Sequence, residues 1–244
     1  MDRGNLNMLL TPVVFGMKHL TGSLVTIIFI VLFLWLSLRP SVNRKVILRM
    51  SALFLIALEL FKYTYTIATD GSIGAYMYPF NLCSFSLYVM PIVAFGKGKF
   101  AKFMTPFTYA VGLLAGLLVL SYPSNVLGNS DQWFPVTEVL PFHSLIYHGN
   151  MIFFSVYLVL SKRYVPKFTH FIQALFVLLL AAAFANTLNF ILDTDYMLLH
   201  YGNGSPFQFV IEDVSYVAYL GMMSLVGLVL IVLLFLPSVF KSKK

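Results

Sequence analysis

Long apolar stretches alternate with short polar segments along most of this chain. Each stretch approaches the ~20 mainly apolar residues that an α-helix needs to cross about 30 Å of hydrocarbon. The pattern predicts an all-α polytopic membrane protein with seven transmembrane helices. The predicted spans are residues 19–38, 46–66, 79–95, 103–121, 142–161, 168–192 and 214–236.

The same pattern predicts one membrane domain, residues 19–238, with short flanks. Residues 1–18 form an N-terminal external segment that lacks the basic start and small-residue cleavage site of a removable signal peptide. Residues 239–244 form a basic cytoplasmic tail. No soluble domain or internal repeat is predicted.

Composition excludes a soluble globule. Hydrophobic residues make up 59% of the chain and charged residues only 10%, against roughly 25% charged residues in soluble domains. The net charge of +7 has to be interpreted by its location, because basic loops set the orientation of membrane proteins. A nucleic-acid partner is therefore not expected.

The basic residues follow alternate spans. They lie in or beside the first, third and fifth loops and in the tail: Arg39, Arg44, Lys45, Arg49, Lys97, Lys99, Lys102, Lys162, Arg163, Lys167, Lys241, Lys243 and Lys244. The other loops between spans contain no Lys or Arg. The positive-inside rule then predicts an external N-terminus and a cytoplasmic C-terminus. We expect an integral protein of a bacterial plasma membrane.

Two reactive side chains lie at one predicted depth. Cys83, the single cysteine, lies about 6 Å past residue 79, and His148 about 10 Å past residue 141, at 1.5 Å of rise per residue. Both spans enter from the outside. A neighbouring imidazole can deprotonate a thiol, and such a pair is suited to acyl transfer through a thioester.

Further polar residues accompany this pair, and ionisable or amide side chains inside a membrane are functional candidates. They are Glu59, Lys62, Asn81, His143, Asn150, Asn186 and Asn189. Together they predict a polar cavity in the outer leaflet. Structural interpretations remain open: an intrahelical ion pair at positions 59 and 62, interhelical hydrogen bonds from the asparagines, and a cysteine that serves as a small hydrophobe.

A metal site is the chemical alternative. Cys83, His148 and His143 are zinc-type ligands. The two histidines are five residues apart, however, so they point to different faces of one helix, and a shared metal is not expected. No nucleotide-binding or CxxC motif is present, and no cofactor is predicted.

Three segments resemble the transmembrane protein 164 family and its YwaF-like bacterial relatives. They are YPFNLCSFSLY (78–88), LPFHSLIYHGNMIFFSVYLVL (140–160) and FANTLNFILDTDYMLL (184–199), and the resemblance covers roughly residues 45–238. It implies a lipid acyltransferase that moves fatty acyl groups onto ether phospholipids. By motif, the family's catalytic cysteine and histidine correspond to Cys83 and to His148 in the His148-Gly149 step.

The leading hypothesis is a membrane-embedded lipid acyltransferase or lipid hydrolase that acts on membrane lipids. Cys83 is its nucleophile, His148 its general base, and the asparagines orient the imidazole or donate to an oxyanion. One alternative is a small-solute or ion transporter that uses Glu59, Lys62 and the asparagines. Another is a non-catalytic protein that binds lipid in the same cavity.

Overall fold

The computed structural model describes residues 16–122 and 139–241. Those residues form helices and turns, with no β-strand among them. Most of the predicted N-terminal segment, the loop that holds Asp131 and Glu138, and Lys243 and Lys244 of the predicted tail lie outside the described residues. The all-α prediction is confirmed for the part of the chain that the structure describes.

Each predicted span coincides with a helix. The helices of the described residues are α1 (Met17–Ser37), α2 (Arg44–Asp70), α3 (Ser86–Phe95), α4 (Lys99–Ser121), α5 (Val139–Leu160), α6 (His170–Leu192), α7 (Phe209–Asp213), α8 (Tyr216–Phe235) and α9 (Pro237–Lys241). Single 3₁₀ turns occur at Ala75–Met77, Cys83–Phe85 and Tyr196–Leu198.

Five helical segments are long and apolar enough to cross a membrane. They are Met17–Ser37, Lys99–Ser121, Val139–Leu160, His170–Leu192 and Tyr216–Val239. Helix α2 has sufficient length, with 27 residues, but it carries six charged residues, Arg44, Lys45, Arg49, Glu59, Lys62 and Asp70. The chain is therefore a helical membrane protein, and the seven-span count stays a prediction.

The third span begins later than its apolar pattern predicts. The helical segment starts at Cys83 rather than at Pro79 and rises only about 20 Å to Phe95. Tyr78 is extended, with ψ 148°, because the ring of a following proline disfavours the helical conformation. The Asn81 side chain accepts a hydrogen bond from the distant Met197 N–H. Cys83 consequently lies at the start of a helix and not one to two turns inside it.

Helix α5 is the centre of the bundle, and α1, α2 and α4 pack against it. Two glycines bring α4 close. A Cβ atom on Gly112 would lie 2.1 Å from Ser155 Oγ, and one on Gly116 would lie 2.4 Å from Ile152 Cγ1. Small residues allow helix backbones to approach in membranes, where no hydrophobic force drives helices together. The approach of α4 to α5 therefore depends on these two positions.

We expect Gly112→Ala to destabilise the protein. The added methyl would overlap Ser155 and push α4 from α5, and overpacking of this kind costs about 1 to 3 kcal/mol. Thermal unfolding in detergent measures the effect. Gly221→Ala in α8 is the matched control, because its Cβ would meet no atom within 4 Å. Equal melting temperatures for the two variants would contradict the assigned packing.

Candidate functional site

A buried ion pair lies on the face of α2 that is turned into the bundle. Glu59 is 3% exposed, and Lys62 Nζ lies 2.6 Å from its Oε1, one helical turn away. Removing a carboxylate from water without a counter-charge costs several kcal/mol. Lys62 offsets that cost and allows Glu59 to remain inside the protein. The predicted contact between positions 59 and 62 is present.

The Glu59 carboxylate is within electrostatic range of polar side chains from α2, the Cys83 turn, α3 and α5. We call this set, with the ion pair, the Glu59 cluster: Glu59, Lys62, Tyr63, Cys83, Tyr88, His143 and Tyr147. The structure thus brings four of the predicted site residues to one place and adds three tyrosines to them.

Cys83 lies at the edge of the main hydrophobic core. Its side chain is half-buried and packs against that core. The nearest hydrogen-bonding atom is Ser84 Oγ, 4.0 Å from Sγ, and the charges of Lys62 and Glu59 act on the thiol from α2. The thiol therefore lies at a boundary between apolar packing and charge.

His148 is held in one tautomer. The ring is 5% exposed, and its Nδ1 lies 2.7 Å from the carbonyl oxygen of Ser144, one turn earlier on α5. A carbonyl can only accept, so Nδ1 carries the proton and Nε2 presents a lone pair. Nε2 is buried and has no hydrogen-bond partner among the described residues. Nε2 is therefore the ring nitrogen that has a lone pair available to accept a proton, in a buried place that disfavours the charged form of the ring.

Tyr147 lies beside both of these residues. Its ring centroid is 5.6 Å from that of His148, and its hydroxyl is within electrostatic range of Cys83. The hydroxyl is buried with no partner among the described residues. The thiol and the imidazole are not hydrogen-bonded to each other. Tyr147 was not among the predicted site residues, although a hydroxyl next to His148 on an apolar helix was the available signal.

Two of the predicted pocket residues join α5 to α2. His143 donates from Nε2 to the carbonyl oxygen of Leu58 at 2.9 Å. Asn150 accepts from Ser51 Oγ at 2.7 Å and donates to the Ser51 carbonyl oxygen at 3.0 Å. These bonds hold the two helices in register, and register decides which α5 residues face the Glu59 cluster.

Asn189 organises the segment after α6. It is fully buried, donates to the Tyr196 carbonyl oxygen at 3.0 Å, and accepts from Tyr196 N at 2.6 Å and from Thr194 Oγ1 at 3.1 Å. Met197 and Leu198 follow with φ of 57° and 59°, a left-handed conformation that costs roughly 1 to 2 kcal/mol per residue. The hydrogen bonds of Asn189 offset part of this cost.

The other two asparagines tie this segment to its neighbours. Asn81, two residues before Cys83, accepts from Met197 N at 3.0 Å. Asn186 accepts from the Tyr216 hydroxyl of α8 at 3.0 Å. Of the predicted polar residues, four lie in the Glu59 cluster and three asparagines position the loop over the Cys83 turn, whereas Asn150 joins α5 to α2 and His148 bonds within α5. Within the described ranges, no three His, Cys, Asp or Glu side chains are grouped as metal ligands.

Comparison with known proteins places this architecture in a family. The family that matches is the TMEM164 family, over residues 14–236. The chain belongs to the TMEM164 family. The match confirms the resemblance that the three motifs carry, and it includes both Cys83 and His148. Among curated proteins and among solved structures, none matches the chain.

Asn189→Ala is expected to loosen the loop over the Cys83 turn. The substitution leaves the buried N–H of Tyr196 unpaired, at about 1 to 3 kcal/mol, and removes one of the two hydrogen bonds to the Tyr196 carbonyl oxygen, which also accepts from Leu199 N–H. Limited proteolysis between residues 193 and 208 measures the loss. Thr187→Ala is the control, because Thr187 is exposed on the same helix and its hydroxyl donates only to the carbonyl oxygen of Ala183, one turn earlier. Equal cleavage rates for the two variants would refute this role for Asn189.

Proposed function

We propose that this TMEM164 family protein is a membrane-embedded lipid acyltransferase or lipid hydrolase, with Cys83 as nucleophile and His148 as general base. The observation that carries the proposal is the tautomer of His148. Its Nδ1–H is bound to the Ser144 carbonyl, and Nε2 is left buried and available. The family resemblance of the motifs around both residues supports the same assignment.

The reaction begins with the ester of a membrane phospholipid. Cys83 and His148 are not hydrogen-bonded to each other in this structure, and we propose that they meet when substrate is bound, as catalytic contacts often tighten only in the complex. Nε2 takes the thiol proton, and Sγ attacks the acyl carbonyl. A C–S bond forms, the ester C–O bond breaks, and the lysolipid oxygen leaves with the proton from His148.

The second half returns the enzyme to its starting state. A hydroxyl of a second lipid, or water, attacks the thioester while His148 accepts the incoming proton. The new C–O bond replaces the C–S bond, and the proton returns to the Cys83 sulfur. Attack by a lipid hydroxyl gives acyl transfer, and attack by water gives hydrolysis.

Two hydroxyls near Cys83 are suited to bind the developing oxyanion. Tyr147 Oη and Ser86 Oγ are both buried without a partner among the described residues, and Ser86 follows Cys83 by one turn. The side-chain amides of Asn150, Asn186 and Asn189 already form hydrogen bonds within the protein. Oxyanion donors that are fixed in place before the reaction lower its barrier without reorganisation.

The proposed topology has seven spans, an external N-terminus and a cytoplasmic C-terminus. Helix α2 crosses despite its charges, because Glu59 and Lys62 neutralise each other within the bundle. The third span consists of the short helical segment Cys83–Phe95 together with the non-helical residues that precede it. Non-helical backbone is tolerated at membrane depth where it is buried in protein, and Asn81 and Tyr196 bond this region to the loop after α6.

Substitution at the proposed pair tests the chemistry. In proteoliposomes of phosphatidylethanolamine with a lysophospholipid acceptor, Cys83→Ala should abolish acyl exchange measured by mass spectrometry. His148→Gln should slow it about 10² to 10⁴-fold, the usual contribution of a general base. His170→Gln is the matched control, since His170 bonds to Tyr164 and takes no part in the Glu59 cluster, and it should keep full activity.

Unchanged lipid turnover in Cys83→Ala and His148→Gln would overturn the enzyme assignment. Coupled ion and solute flux in the same liposomes would favour a transporter built on Glu59 and Lys62. If the protein binds lipid but Cys83 never reacts with an activated acyl donor, a non-catalytic lipid-binding protein is favoured. Because the chain has one cysteine, any covalent acyl-thioester reports on Cys83 alone.

Fusions at the C-terminus test the topology. Green fluorescent protein fused after Lys244 should fluoresce, because it folds in the cytoplasm, whereas alkaline phosphatase at the same position should stay inactive. The same pair of reporters placed after residue 70 should give the opposite result, since that loop is predicted to be external. Active phosphatase at Lys244 would reverse the assigned orientation.

A further inference from the structure

An apolar crevice opens between α4, α6 and α8. Its ten lining residues are nine with hydrocarbon side chains and one glycine, and no polar atom lines it. Helix α4 contributes one long wall, with Phe107, Val111 and Leu118 along it. Leu178 of α6 and Gly227 of α8 contribute to the opposite side. A site of this composition offers no hydrogen bond and no charge, so it suits hydrocarbon and excludes a headgroup or an ion.

The length of the crevice matches one leaflet. The lining residues of α4 run from Phe107 to Leu118, which is about 16 Å along a helix axis. The hydrocarbon core of a bilayer is about 30 Å thick, so one leaflet accounts for roughly half of that. A segment of a single acyl chain that lies along α4 therefore has an apolar wall beside it.

One end of the lining is next to the candidate nucleophile. Leu82 lines the crevice, and Cys83 is the following residue. Cys83 also belongs to the Glu59 cluster, so a residue that lines the apolar crevice and a residue of the polar cluster are adjacent in the chain where the 3₁₀ turn Cys83–Phe85 begins. An amphipathic lipid that spans this turn would place its ester bond at the thiol.

We propose that the crevice binds one fatty acyl chain of a membrane phospholipid, with the carbonyl end at Leu82 and Cys83. The placement of that carbonyl end rests on the proposed function. The acyl-chain site extends that function by assigning where the substrate's hydrocarbon chain binds. Gly227 sets the width of the slot. A Cβ atom at Gly227 would make only an ordinary 3.6 Å contact with Leu178 Cδ2, so side chains added there extend into open space.

Two pairs of variants isolate the crevice from the rest of the lipid-facing surface. Gly227→Leu fills the slot, and Gly221→Leu on the same helix is its control, because a Cβ there meets nothing within 4 Å. Leu118→Phe narrows the mouth, and Leu117→Phe is its control. Leu117 and Leu118 are 49% and 45% exposed, but only Leu118 is among the lining residues.

Photo-crosslinking measures how far the crevice is occupied by an acyl chain and does not require turnover. The full chain is reconstituted in nanodiscs of phosphatidylcholine that carries a diazirine in its acyl chain, irradiated, and mapped by peptide mass spectrometry. We expect label on α4 around Leu114 and on α8 around Leu230. Gly227→Leu and Leu118→Phe should each reduce this label about tenfold, the lower end of what a methylene-sized mismatch in an apolar pocket costs. Both controls should retain it.

The outcomes separate this inference from the proposed function. Equal labelling of the crevice in Gly227→Leu, Leu118→Phe and their controls overturns the acyl-chain site, whether or not the protein turns lipid over. Loss of label in the two crevice variants supports the site even if wild-type protein shows no turnover, which would contradict only the proposed function. With turnover present, Gly227→Leu should also shift the products toward shorter acyl chains, and an unchanged chain profile counts against the site.

Discussion

The burial of α5 among α1, α2 and α4 is the constraint on which the rest of the structure depends. Gly112 and Gly116 let the α4 backbone approach α5 closely, and the bonds of Asn150 and His143 set the register of α5 against α2. Because rotation about α5 is thereby excluded, Tyr147 faces the Glu59 cluster and His148 stays beside it.

Buried polar side chains of the described residues are largely paired, and the atoms without a partner belong to Arg49, Thr66, Ser86, Tyr147 and His148. Glu59 has its counter-charge one turn away, and Asn189 satisfies three polar groups of the loop after α6. Inside a bilayer no water replaces such partners, so unpaired groups are costly. The free Nε2 of His148 and the free hydroxyl of Tyr147 are therefore exceptions that call for a ligand or a reaction. The two exceptions lie together, since the ring centroids of Tyr147 and His148 are 5.6 Å apart.

Much of the architecture was predictable from the pattern of apolar stretches. Every predicted span has a helix, and Glu59 and Lys62 form the pair that their spacing suggested. The predicted helix start of the third span was wrong. Hydropathy does not detect the extended backbone that Pro79 imposes or the hydrogen bond between Asn81 and Met197. Tyr147 was missed for a related reason. A tyrosine in an apolar helix is normally interpreted as a core residue, and only the structure shows that its hydroxyl has no partner among the described residues.

By itself the sequence determined the helical membrane class, the family motifs and the residue types available for chemistry, since these follow from local composition and spacing. Tertiary structure alone decided which of those residues meet. It brought Cys83 within range of the charges of Glu59 and Lys62, assigned Asn81, Asn186 and Asn189 to the loop after α6, and put the apolar crevice beside Leu82. Helix neighbours and rotations arise from packing between segments distant in the chain, which no local pattern encodes.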